Sequence, residues 1–423
     1  MTSRFRLSSI AGLLSSTLTL AGCGDAFNAG PIKYIDNERL VSGDLQEKPK
    51  LQDAVRDALA NLFGPDPQHI KVPEGSGLPL GGIRLANRRE VAENQSKRIR
   101  VQRVTFGQKI VEDQEGGYAL YRRHCLHCHG VSGAGDGPTS TFLYPRPRDY
   151  RKGIFKFTST PTGAKPTRAD LRKTIRYGLH GTSMPAFEAL MSDFEIEQVL
   201  DYMIFLSMRG ETELGLIDEV AASGELTKDV PPEIAASVFN KWKSAESQAV
   251  NPPIARTPSS KESVLRGRAL FLARDDRNRK LECTGCHGAQ AMGNGPSLVA
   301  QEVFNDVMFG GDPSTMRERL DKYDLKTKEL WKNSLDDWGF PLRPANLNRG
   351  VYKGGRRPID IYWRIAKGIN GAKMPAHYPA IEPGEIWDLV NFVLALPYEP
   401  ALLDGATLPS TLPAAPAPAV ARR

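Results

Sequence analysis

Apolar residues recur at helical spacing in six stretches of the chain, and the six fall into two sets of three. In the first set, Leu120 and Tyr121 mark one face of a stretch running from Gly117 to His129. Thr167 and Asp170 open a second stretch that ends near Gly178. Ser192 and Glu195 form a capping-box pattern ahead of a third, in which Ile196, Val199, Leu200, Met203 and Ile204 share a face. The second set runs Val264–Ala273, Pro358–Lys367 and Pro383–Leu396, with Pro358 and Pro383 suited to first-turn positions. The expected fold class is therefore all-α: two tandem helical units, 112–210 and 262–398, with an extended N-terminal arm and a disordered C-terminal tail.

The segments around these units look less ordered. Residues 23–111 are expected to form an extended, partly ordered arm, because Val72–Gly82 is dense in glycine and proline. Residues 211–261 read as a linker with one helix from Pro232 to Ala245, and the Pro/Ala-rich residues 399–423 as a tail. The second unit is the longer of the two. Its extra residues lie mainly in a charged insertion near 303–340, with a shorter one over Ala273–Glu282. Such insertions serve either as docking elements or as plain surface elaboration.

Composition narrows the function class. The chain has 423 residues, 40% of them hydrophobic and 25% charged, which is globular rather than disordered. A net charge of +7 is a mild excess, and no Lys/Arg block is dense enough for a nucleic-acid-binding arm. Five cysteines are too few for a disulfide scaffold.

The first cysteine belongs to an address. Arg4 and Arg6 precede 15 mostly apolar residues from Leu7 to Ala21, fewer than the roughly 20 needed to span a bilayer, so residues 1–22 read as a secretory leader. Leu20-Ala21-Gly22-Cys23 resembles the lipobox of bacterial lipoproteins. That resemblance implies lipidation of Cys23 and a chain held on the periplasmic side of a bacterial membrane.

The other four cysteines fall as Cys125-Leu126-His127-Cys128-His129 and Cys283-Thr284-Gly285-Cys286-His287. Both are C-x-x-C-H, the attachment signature of c-type haem. Each thiol adds across a porphyrin vinyl group, and the adjacent histidine supplies a proximal imidazole. A zinc site built from two C-x-x-C pairs is disfavoured because 154 residues separate Cys128 from Cys283. A thioredoxin-like redox pair would need a βαβ context that the pattern lacks. Two covalently bound haem c groups are expected.

A haem that only passes electrons is usually six-coordinate, with a thioether as a common second axial ligand. Of nine methionines, Met184 and Met374 stand out, in Gly181-Thr182-Ser183-Met184-Pro185-Ala186 and Gly371-Ala372-Lys373-Met374-Pro375-Ala376. The proline after each methionine disfavours helix there and leaves the side chain on an extended loop. Met191, Met203 and Met208 near the first site read as packing residues or weaker candidates, as do Met292, Met308 and Met316 near the second. His180 and His377 flank the methionine loops.

The repeat extends further. Gly135-Asp136-Gly137-Pro138 follows the first motif and Gly293-Asn294-Gly295-Pro296 the second, each proline nine residues past its histidine. Such a proline carbonyl is a candidate acceptor for the imidazole Nδ1–H. Arg146, Arg148 and Arg343 in the next loops are candidate partners of haem propionates.

In order, C-x-x-C-H, G-[DN]-G-P and G-x-x-M-P-A resemble the class I cytochrome c family, twice in tandem over about half of the chain. The resemblance implies small all-α domains whose first and last helices cross. It implies one haem held by Cys125, Cys128, His129 and Met184, and a second by Cys283, Cys286, His287 and Met374. The implied activity is single-electron transfer rather than turnover of a substrate. Expected partners are a quinol-oxidising complex, a periplasmic dehydrogenase or a terminal oxidase in a respiratory chain, together with the membrane and without nucleic acid. A cytochrome subunit of a larger dehydrogenase or oxidase is the alternative. A dihaem peroxidase is disfavoured, since it needs an iron that peroxide can reach and both units offer a methionine.

Overall fold

The computed structural model describes residues 32–79, 85, 100–105, 108–113, 116–272, 281 and 283–404. Cys23, the leader and the tail beyond residue 404 lie outside them. The fold is helical, with α1 (Glu38–Val41), α2 (Pro49–Phe63), α3 (Gly117–His124), α4 (Leu126–His129), α5 (Arg168–Tyr177), α6 (Asp193–Ser223) and α7 (Val230–Ser244) in the first half. The second half has α8 (Lys261–Phe271), α9 (Cys283–His287), α10 (Gln301–Phe309), α11 (Met316–Asp321), α12 (Leu325–Asn333), α13 (Pro358–Lys367) and α14 (Pro383–Ala395). A two-stranded antiparallel hairpin, β1 (Arg100–Thr105) and β2 (Gln108–Asp113), pairs Arg100 with Asp113 and Thr105 with Gln108 ahead of the first domain.

Each domain is built on one helix crossing. In the first, α3 packs on α6; in the second, α8 packs on α14. Glycine permits the close approach in both. A Cβ on Gly117 would lie 2.3 Å from the Gln198 carbonyl oxygen, and one on Gly267 would lie 2.1 Å from that of Asp388. The expected caps form: Ser192 Oγ accepts from the Glu195 amide at 3.3 Å, and Thr167 Oγ1 accepts from that of Asp170 at 3.1 Å. Two separate apolar cores result, one per domain.

Three expectations about the flanking segments change. Within the arm, α2 is a full helix that buries Val55, Leu59 and Phe63 against the first domain. The Phe63 ring meets Phe205 at 5.6 Å and Phe239 at 6.2 Å, edge-on. Within the linker, α6 runs on to Ser223 and α7 folds back on it, so 211–244 belongs to the first domain. Gly210 does not end the helix: it admits Arg151, whose Cα would be 2.6 Å from an added Cβ. At the start of the tail, Pro400–Leu403 forms a short helix and Leu403 is buried in the second core.

The 303–340 insertion folds as α10 to α12 around its own small core of Val299, Phe304, Val307 and Trp331. It turns inward. Tyr144 of the first domain packs edge-on against Phe304 at 6.0 Å and Phe309 at 5.4 Å. Asp336, almost fully buried, pairs with Arg148 at 2.9 Å and with Lys156 at 2.9 Å. The insertion therefore clamps one domain to the other.

Candidate haem sites

The C-x-x-C-H segments sit at corresponding places. Cys125 breaks the first helix with φ of −119°, and the single turn of α4 carries Cys128 and His129. In the second domain the motif is the one-turn helix α9. The glycine-rich loop then wraps each turn. The Gly135 and Gly137 amides donate to the carbonyls of His129 and Cys128 at 3.0 and 3.2 Å. Gly293 and Gly295 repeat this on His287 and Cys286 at 2.8 and 3.0 Å. Among the described residues, no disulfide joins any of the four cysteines. Burial pushes the Cys125 thiol up to about 12 and the Cys283 thiol up to about 11. Both are thus thiols rather than thiolates near pH 7. Among the described residues, no group of three or more His, Cys, Asp or Glu side chains could hold a metal ion.

The surroundings of the two imidazoles are similar but not identical. His287 Nδ1 donates to the Ala345 carbonyl at 3.2 Å, which leaves Nε2 with the lone pair an iron needs. Ala345, not Pro296, is therefore the acceptor. Arg148 is the corresponding residue of the first domain. Its carbonyl favours the protonated imidazole of His129, but the buried Nδ1 there makes no hydrogen bond of good geometry. Burial dominates at both sites: it holds His129 down at about 4 and His287 below the usual histidine range. Both rings are neutral near pH 7, the form that ligates. Tyr150, whose hydroxyl donates to Tyr121 Oη at 2.6 Å, packs its ring 5.3 Å from that of His129.

The methionine loops are built alike. Leu179 and Ile369 amides donate to the carbonyls of Met184 and Met374, both at 3.1 Å. Cys125 and Met184 are half-buried against the same first core, and Cys283 and Met374 against the second. Met191 and Met208 are buried in the first core, with Met203 packed against it, and Met308 and Met316 pack in the insertion. Met292 is half exposed, and His377 Nδ1 faces the Ile365 carbonyl at 3.3 Å.

The propionate role expected of three arginines meets other partners. The Arg148 guanidinium pairs with Asp336, and Arg146 lies over the Phe340 ring. Arg343 donates to the carbonyls of Val299 and Gly293 at 3.0 and 3.1 Å. Sequence reasoning missed the carbonyls that face the imidazoles, since any residue can supply one. The usable signal was position: both carbonyls belong to the residue after the proline of the repeated Arg-Pro pair, Pro147 and Pro344.

Comparison with known proteins agrees with this geometry. Residues 112–203 match the family of cytochrome c oxidase, cbb3-type, subunit III, and residues 264–397 match the cytochrome c family. No curated protein matches the chain. Among solved structures, a chain of the reducing HAO-like protein complex of Kuenenia stuttgartiensis aligns at 25% identity with a TM-score of 0.43, covering 66% of this chain and 94% of that one. With one matched segment on each helix crossing and its C-x-x-C-H turn, the chain belongs to the cytochrome c family, with two class I domains in tandem.

Proposed function

We propose that the protein is a dihaem c-type cytochrome, anchored by a lipid on Cys23, that passes single electrons in a periplasmic respiratory chain. The observation that carries the reading is the duplication of one site: a half-buried histidine held neutral beside two thiols, with a cysteine of the motif and a methionine loop packed against one core, once per domain. Cys125, Cys128, His129 and Met184 would hold one haem, and Cys283, Cys286, His287 and Met374 the other. Bound there, the haem supplies the one-electron couple. The chain would cover the ring and present a thioether, and at His287 the Ala345 carbonyl would fix the imidazole tautomer.

A second reading, a cytochrome subunit of a terminal oxidase or dehydrogenase complex, draws on the match of the first domain to an oxidase subunit family. Co-purification from the native membrane separates the two readings.

The test of electron transfer against peroxidase chemistry is ligand access. The reduced holoprotein should bind carbon monoxide slowly and leave peroxide unreduced. Rapid reaction with either would mean an open iron and would overturn the proposal. Radiolabelled palmitate should enter the wild type and not Cys23→Ala; equal labelling would remove the anchor.

A further inference from the structure

The two domains meet through reciprocal contacts, as around an internal two-fold axis. Gly181 and Gly371 are the same position in the two methionine loops, and Ile154 and Val351 are the same position in the loops beyond the imidazole-facing carbonyls. A Cβ on Gly181 would lie 3.2 Å from Val351, and one on Gly371 would lie 3.4 Å from Ile154. Each methionine loop thus packs on the other domain's histidine-side loop.

One residue breaks the symmetry. Trp338, from the end of the insertion, is wedged between the two sites. On one side its Nε1–H donates to the Asp149 carbonyl at 2.7 Å, next to Arg148, whose own carbonyl faces His129. On the other side its ring lies against Gly371, where an added Cβ would be 2.4 Å away. The neighbouring Asp337 amide donates to the Gly371 carbonyl at 3.1 Å. Met374 is three residues further along that loop. No equivalent aromatic joins Gly181 to the second histidine loop among the described contacts.

We propose that Trp338 is the internal bridge by which an electron crosses between the two haem sites, from the His129 side of one to the Met374 side of the other. This rests on the dihaem reading above. In the step, one ferrous iron becomes ferric and the other ferric iron becomes ferrous; no proton moves and the tryptophan is unchanged. The ring couples the sites without holding the electron vacancy. Lys156 Nζ and the Arg148 guanidinium sit over it, 5.2 and 5.7 Å from the ring centroid, and positive charge there disfavours removal of an electron from the indole.

The test uses the full-length holoprotein, after haem content and both midpoint potentials have been measured for each variant. A photoreductant delivers less than one electron per chain, and redistribution between the two sites is followed optically. Trp338→Leu should slow redistribution by about tenfold or more, and Trp338→Phe, which keeps a ring in place, by far less. Both potentials should stay unchanged in both variants. Amide exchange at residues 149–156 and 371–374 should also match the wild type in Trp338→Phe. Redistribution as fast in Trp338→Leu as in the wild type would overturn the bridge, and so would equal slowing in the two variants. A variant with two haems and one of these results leaves the dihaem reading standing, whereas a wild type lacking a second haem removes that reading itself.

Discussion

At Gly178 and Gly368 the backbone takes φ of 65° and 74° with ψ near −165°, a region that side chains with a Cβ rarely occupy. An added Cβ at either position would also lie 2.6 Å from the carbonyl oxygen of Met184 or Met374. These glycines therefore set the exit of α5 and α13 and the path of the methionine loop. Gly178→Ala and Gly368→Ala should each cost about 1–3 kcal/mol of stability. Each should also weaken the long-wavelength absorption of the iron–thioether bond in the oxidised holoprotein, as Met184→Ala or Met374→Ala does. Full retention of that band in both glycine variants would mean that another residue supplies the ligand. At this scale the repeat was the legible part of the sequence: the C-x-x-C-H and G-x-x-M-P-A segments fold as matching turns and loops in the two domains. Where the partner is backbone, as at Ala345, residue type carries no trace of it, and only the position after the repeated Arg-Pro pair could have pointed there.

Among the elements, α2 departs most from expectation. Its Leu51, Val55, Leu59 and Phe63 recur every four residues, so the helical face is written in the chain. Its N-cap is Lys48, which makes no side-chain capping bond, and a glycine-rich loop follows soon after. Pro49 at its first position is a start signal of the kind that Pro358 and Pro383 give, but without a side-chain cap the helix reads as part of an arm. The unit boundary expected at 210 moves as well: α6 runs on to Ser223, and Gly210 within it is the contact point with the Arg151 backbone. The two capping boxes, by contrast, formed where Ser192 and Thr167 placed them, because cap chemistry is local. Phe63→Ala should cost about 3–5 kcal/mol, measured by urea unfolding of the holoprotein, with the loss falling on the transition of the first domain. A change below about 1 kcal/mol would mean that α2 is not docked in solution.

Across the whole molecule, the insertion decides how two similar domains become one body. Its charge left docking and plain surface elaboration both open, and nothing in it named the other half of the same chain as the partner. That depends on contacts between residues about 180 positions apart, such as Lys156 with Asp336. Asp336 is the counter-charge for both Arg148 and Lys156, and burial alone pushes those two cations toward their neutral forms. Asp336→Ala leaves them buried without it and should cost about 3–5 kcal/mol at the interface. Calorimetry should then resolve two separate domain transitions where the wild type shows coupled unfolding; an unaltered profile would mean the domains are held elsewhere. All of this presupposes that each domain carries its own prosthetic group. A pyridine haemochrome assay on the purified full-length chain, scaled to protein concentration, tests that most directly. The account predicts two haem c groups per chain, both retained after acid–acetone extraction, and one or none would contradict it.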